Sequence, residues 1–337
     1  SEMCIRDRDM KDQETQKIAF VKPNKYELEK LYERTNEVNG PLPLLLESSC
    51  VVMDRVHEEI MFCEKFELPP RKMIILSASV NEKLYEEIEK KLELVKGVRD
   101  KSVIMDPFIK DFSYRFCWSS NALEGNTLSL DETISLIDYD EVRSGHTYTE
   151  YQEAKNLYKA IEKQMIPLKK REITEAWIQE ANGEVIETDG NYRTGPVYVG
   201  NLVEAVYYPP SEEKVPELMK SFFKSVNFEG NSVKEILEKT ALTHIQFERI
   251  HPFKDGNGRV GRMILNQQLI NNGLFPVTFS AKGKYRQAFR IYDKNKDISS
   301  VVHILGKAQI EALDRIDELS RNLNKSLQLN QEEQFEW

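Results

Sequence analysis

Two stretches whose apolar residues recur at helical spacing are joined by a short run that holds one proline and two glycines. That junction constrains the chain more than any other segment. Upstream, Ile236, Leu237, Ala241, Ile245 and Ile250 give one helix a buried face. Downstream, Met263, Ile264, Leu265, Leu269 and Ile270 do the same for a second. Pro252 stops the first helix, so His251 falls at its C-terminal edge. Between the helices lies Asp255-Gly256-Asn257-Gly258, whose glycines admit positive φ and close approach of backbone to a ligand. The N–H groups that open the second helix then form an anion site. Arg259 and Arg262 stand at i and i+3 on its first turn, where cations oppose the helix dipole unless an anion is present. Guanidinium groups suit phosphate oxygens. The run therefore reads as a seat for a polyphosphate, with Asp255 as a hard-oxygen ligand for Mg²⁺ and His251 as general base toward a hydroxyl. Taken singly, each part has a plainer reading: a turn, a capping histidine, arginines paired with carboxylates elsewhere. Their joint occurrence carries the argument.

Composition narrows the classes. The chain has 337 residues, 40% hydrophobic and 31% charged, enough to bury a core and keep a polar surface. At roughly 150 residues per domain this allows about two domains. A net charge of -9 argues against bulk electrostatic binding to nucleic acid or anionic membrane. No stretch approaches the roughly 18 uninterrupted apolar residues of a membrane span. The cysteines, Cys4, Cys50, Cys63 and Cys117, are scattered without a C-x-x-C pair, which predicts reduced thiols. With no apolar leader visible, the expected compartment is cytoplasmic. Residues 1–8 read as foreign to the fold and are set aside. No Walker A pattern occurs, and the two Asp-x-Asn runs carry Val260 and Ile298 where a calcium loop needs glycine.

Periodicity predicts mostly helix. Helices are expected at about residues 25–38, through Val51 to Met61, and over Tyr85 to Val95. Asp106-Pro107 reads as a helix start, and Gly125-Asn126 as a stop. Ser129 and Glu132 form a capping box. Further helices are expected at about 149–164, 172–182, 215–226, 233–250, 259–272, 285–292 and 299–323, with a frayed tail over 324–337. The one β signal is Val197-Tyr198-Val199 and Leu202-Val203 around Gly200-Asn201, a two-residue hairpin turn. It would set Val197 and Val199 on one face and Tyr198 on the other.

The whole run from His251 to Arg262 resembles the active-site motif of Fic-domain proteins, H-x-F-x-[D/E]-G-N-G-R-x-x-R, with no position missing. Ser120-x-x-x-Glu124-Gly125 resembles the family's inhibitory motif, placed ahead of the catalytic core. The hairpin led by Gly190-Asn191-Tyr192-Arg193 resembles its target-docking flap. The resemblance implies a mainly α fold, with a Fic-type helical core and a small β-hairpin flap. The core would span 106–308, with the inhibitory motif at 120–125, the flap at 193–209 and the active-site loop at 251–262. A helical domain at 9–105 would precede it, and a C-terminal helix and tail at 309–337 would follow. No DNA-binding domain is visible.

The implied activity is protein adenylyl transfer: AMP from Mg·ATP to a Ser, Thr or Tyr hydroxyl of a protein, the chain itself included. The reverse reaction and a homodimer are further expectations of the resemblance. By the same resemblance His251 is the catalytic base and Asp255 holds Mg²⁺. Gly256, Asn257, Gly258 and Arg259 cradle the phosphates, Arg262 orients the γ-phosphate, and Phe253 anchors the loop. Ser120, Glu124 and Gly125 inhibit, Glu124 by pairing with Arg262. Val197, Tyr198 and Val199 dock the target. No adenine contact is assigned, although Tyr285–Asp297 aligns loosely with the family's adenine pocket. Two other readings stay open: a Fic-fold transferase with another donor (UMP, phosphocholine or phosphate), or a nucleotide-sensing regulatory protein.

Overall fold

The computed structural model describes residues 71–200, 205–279 and 282–334. The helices expected over 25–38 and 51–61, and Cys4, Cys50 and Cys63, lie outside the described residues. The chain divides into two compact units, one of residues 1–84 with 283–303 and one of 85–282 with 304–337. In the first, Asn81 Nδ2 donates to Ser299 O at 3.2 Å, and the rings of Tyr285 and Phe289 lie 5.2 Å apart. The core and the candidate site described below lie in the second.

The fold is mainly α, as expected. In chain order the helices are α1 (Arg71–Leu94), α2 (Ser102–Glu124), α3 (Leu130–Tyr139), α4 (Tyr148–Gln164) and α5 (Glu175–Ile186). A hairpin of β1 (Val199–Gly200) and β2 (Ala205–Tyr207) follows. Then come α6 (Val215–Val226), α7 (Val233–Ile250), α8 (Asn257–Asn271), α9 (Lys282–Asn295) and α10 (Ser299–Gln334). Local chemistry explains the boundaries. Ser129 with Glu132, and Thr147 with Glu150, form reciprocal capping boxes that start α3 and α4. Thr174 and Ser232 accept first-turn N–H groups at the starts of α5 and α7. Gly125 ends α2 in the left-handed region at φ 119.

Four expectations are corrected. Helix α1 begins at Arg71 rather than Tyr85, directly after Pro69-Pro70, because no breaker intervenes. Helix α2 begins at Ser102, with Pro107 inside it. A proline that near the start forfeits a single ladder bond, so the helix runs through it. The tail does not fray at 324: α10 continues to Gln334 through Leu, Gln and Glu, good helix formers without a glycine or proline among them. The hairpin does not turn at Gly200-Asn201. Val199 pairs with Tyr207 and Gly200 with Ala205, so Gly200 lies in the ladder. Tyr207 sets that register: its hydroxyl donates to Arg249 O at 2.9 Å, and the Arg249 guanidinium lies 4.5 Å from its ring centre. This tertiary anchor outweighs local turn preference.

The core that positions the site is one apolar cluster. Phe112 and Phe116 from α2, Leu157 and Ile161 from α4, and Ile178 and Val185 from α5 meet Phe222, Phe247, Val260, Met263 and Ile264. All are buried. Helices α7 and α8 are therefore held along their apolar faces while the short turn between them faces α2 and α5.

Candidate active site

The turn begins at His251, which caps α7 at φ 51 with its N–H donating to Phe247 O at 2.9 Å. The half-buried imidazole directs Nδ1 at Glu248 O, 3.3 Å away. A carbonyl only accepts, so Nδ1 carries the proton and Nε2 keeps the lone pair. Burial lowers the imidazole to about 4; its Glu248 hydrogen bond and the Glu124 charge oppose this weakly, while the charges of Arg193 and Arg249 add to it. His251 is thus neutral at physiological pH and its Nε2 can take up a proton.

Phe253 fixes the turn. Its ring is fully buried, 5.6 Å from Tyr192 and 6.5 Å from Phe247. Its N–H donates to Asn257 Oδ1 at 2.9 Å, and Asn257 Nδ2 returns a bond to Phe253 O at 2.8 Å. Asn257 is therefore spent on bracing the loop. Asn182 of α5 adds a bond to Asp255 O at 2.9 Å.

Helix α8 opens at Gly256, φ 80, where a Cβ would meet Asn182 Nδ2 at 2.7 Å. No side chain caps it and no acidic residue lies in its first turn, so its leading N–H groups face outward as a positive end. Asp255 Oδ1 accepts from Gly256 N at 2.6 Å and lies 3.3 Å from Arg259 Nη2, while most of the side chain stays in solvent.

The two arginines part to different carboxylates. Arg259 is buried, with Nη1 3.5 Å from Glu153 Oε1 of α4, and its Nε has no partner. Arg262, also buried, donates from Nε to Ser120 Oγ and from Nη2 to Ser120 O, both at 2.8 Å. Its Nη2 also donates to Glu124 Oε1 at 2.7 Å. Glu124 reaches over the start of α8: a Cβ on Gly258 would stand 2.2 Å from Glu124 Oε1. The segments 120–125 and 251–262, far apart in sequence, thus meet at one helix end.

The hairpin residues do not join this cluster. Tyr198 is 53% exposed while Val197 and Val199 are half-buried, the alternation expected of a strand.

Residues 172–269 match the Fic/DOC family. They form a Fic domain. The Drosophila ananassae protein adenylyltransferase Fic is 27% identical to this chain over 244 residues, 70% of this chain and 48% of that protein. A probable protein adenylyltransferase of Aquifex aeolicus is 31% identical over 192 residues, 56% of this chain and 57% of that protein. The chain spans about half the length of the curated relatives it matches. In fold, Caenorhabditis elegans Fic-1 aligns with a TM-score of 0.69 at 20% identity, covering 95% of this chain and 93% of that one. A Fic-domain signalling protein of Bacteroides thetaiotaomicron gives 0.61 at 24% identity, covering 71% and 97%.

Sequence reasoning missed three residues around the Fic site. Glu153 and Asn182, from α4 and α5, carry no local signal. Glu248 does carry one, an acidic residue in the last turn of α7, where the dipole disfavours it. Its Oε1 is out of solvent contact and without a partner, packed on Gly261. Burial raises its carboxyl to about 7, against the pull of Arg262 and Arg249 and with a push from Glu124. The folded value lies above the unfolded one, so the cost to stability is absent below about pH 4.5 and grows as pH rises toward 7. Glu248→Gln is therefore expected to stabilise the fold at pH 8 by about 3 kcal/mol and to leave it unchanged at pH 4. Thermal unfolding at the two pH values measures this. A loss of stability at pH 8 would mean that the ionised carboxylate is a net stabilising partner of Arg262.

Proposed function

We propose that the chain is a protein adenylyltransferase restrained by its own helix α2. One observation carries this reading: the uncapped start of α8, with buried Arg259 and Arg262, already holds a carboxylate, that of Glu124. A site that takes an anion there suits phosphates.

The triphosphate of ATP would lie along the leading N–H groups of α8. Arg259 Nε, buried and unpartnered, has a hydrogen bond to give to a phosphate oxygen. Arg262 would turn from Glu124 to the γ-phosphate. Asp255 suits Mg²⁺ as a single exposed carboxylate, since that ion keeps several waters and shares its shell with substrate phosphates. Among the described residues no group of three acidic, histidine or cysteine side chains could cage a metal, so the nucleotide's own oxygens would complete the shell. When bound, Mg²⁺ supplies charge neutralisation on the phosphates.

His251 Nε2 would take the proton of an incoming hydroxyl. The hydroxyl oxygen then bonds to the α-phosphorus, and the bond from that phosphorus to the bridging oxygen breaks. Pyrophosphate leaves with the electron pair. This chemistry needs mainly positioning and charge stabilisation, which the braced turn offers.

The acceptor is a Ser, Thr or Tyr hydroxyl of a protein, with a copy of this chain among the candidates. Among the described residues the sheet holds two strands, so each keeps an edge for an extended target segment beside Val197, Tyr198 and Val199. No described helix is long and apolar enough to cross a membrane. A reducing, cytoplasmic setting agrees with Cys117, a buried free thiol whose burial pushes it up to about 12.

Intact-mass spectrometry after incubation with Mg·ATP tests the reading. An added mass equal to AMP supports it. A UMP, phosphocholine or phosphate increment from the matching donor would replace it with a different transferase. Binding of ATP with no covalent product, from wild type and Glu124→Gly alike, would favour a sensor.

A further inference from the structure

Arg193 leads into the hairpin, and its side chain is only 2% exposed. All of its hydrogen bonds go to main-chain carbonyls. Its backbone N–H donates to Pro252 O at 2.9 Å, and Nε donates to His251 O at 2.8 Å. Nη1 donates to Gly195 O at 3.2 Å, just ahead of β1, and Nη2 donates to Pro210 O, just after β2. The nearest carboxylate, Glu212 Oε2, is 4.0 Å from Nη1. One planar fork therefore spans both feet of the hairpin and the turn that carries the imidazole. Without it the carbonyls of His251, Gly195 and Pro210 would lose these side-chain donors.

We infer that Arg193 is a positioning residue that holds the His251 turn and both ends of the hairpin in one frame, coupling target docking to the base. The inference rests on the adenylyltransferase reading for its consequence, but its geometry stands apart from that reading. Lysine cannot replace the fork, because a point ammonium cannot reach carbonyls in three directions. Lysine does keep the positive charge. That charge faces the imidazole together with Arg249 of α7, opposite Glu124 of α2, while the Glu248 carbonyl accepts from Nδ1. Arg193 and Arg249 oppose protonation of His251, and Glu124 favours it. Geometry and charge can thus be separated by two substitutions.

The experiment titrates the His251 ring by NMR, assigned against His251→Ala, in wild type, Arg193→Lys and Arg193→Gln. It also follows amide hydrogen exchange over 193–200, 205–210 and 251–256. Arg193→Gln is expected to raise the His251 midpoint by roughly 0.5–1 pH unit, and Arg193→Lys to leave it in place. Both variants are expected to lose protection in the hairpin and in the 251–256 turn together. An unmoved midpoint in Arg193→Gln, or hairpin loosening with the turn still protected, overturns the inference. Should Arg193→Gln not fold, Glu212→Gln carries the charge arm with the opposite sign: it exposes the imidazole to an uncompensated Arg193, and the midpoint falls. Neither readout needs turnover. A wild type and Glu124→Gly that transfer nothing from ATP would sink the functional reading alone.

Discussion

Glu124→Gly is expected to raise self-transfer from Mg·ATP by about 10- to 100-fold. The figure follows from one charge-assisted hydrogen bond, about 1.5–3 kcal/mol, at about 1.4 kcal/mol per decade of rate. Removing the carboxylate breaks its 2.7 Å bond to Arg262 and clears the space over Gly258. It does not cast Arg262 adrift, because Ser120 Oγ and Ser120 O still hold Nε and Nη2. The guanidinium stays aimed and acquires a vacancy for a phosphate oxygen. The added glycine beside Gly125 costs the end of α2 about 1 kcal/mol of helix propensity, too little to unfold a helix anchored by Phe112 and Phe116. Intact-mass time courses of the two proteins give the ratio. Equal rates would show that Glu124 does not restrain the site.

His251→Ala, made in the Glu124→Gly background, is expected to lower transfer by about 10²- to 10⁴-fold while ATP still binds. The imidazole's hydrogen bond runs to Glu248 O and not to α8 or its arginines, so the phosphate seat is expected to survive its loss. The pH profile adds a second check. With the ring lowered to about 4, the base-competent form persists well below neutrality, and the acid limb of the parent should fall near that value. Isothermal titration with ATP and mass spectrometry separate binding from transfer. Retained transfer in the variant would move the proton acceptor elsewhere.

The parts of this molecule legible in the sequence are those where one local rule acts alone. The bounds of α7 and the capping box of Ser129 and Glu132 follow from periodicity and capping chemistry, and the structure has them as expected. The order of residues in the 251–262 loop also places His251 at the end of α7 and Gly256 at the start of α8, where the structure has them. What stayed hidden is what tertiary contact decides. The hairpin register yielded to Tyr207 gripping Arg249, which no turn dipeptide encodes. The sequence placed Arg193 at the head of the hairpin but not its partners, because those are carbonyls supplied by separate segments of the chain. Glu153 reaches Arg259 and Asn126 from α4, across a separation that spacing cannot bridge.

The missing methyl group at Gly258 has a consequence for how this protein can change over time. A Cβ there would stand 2.2 Å from Glu124 Oε1 and 3.0 Å from Arg262 Nη1, so the bare backbone leaves room for the Glu124 carboxylate. A larger residue at 258 would have to displace that carboxylate, and with it the contact between α2 and α8. Variation at 258 and at 124 is therefore linked, and a change at one of the two positions alters what the other can be.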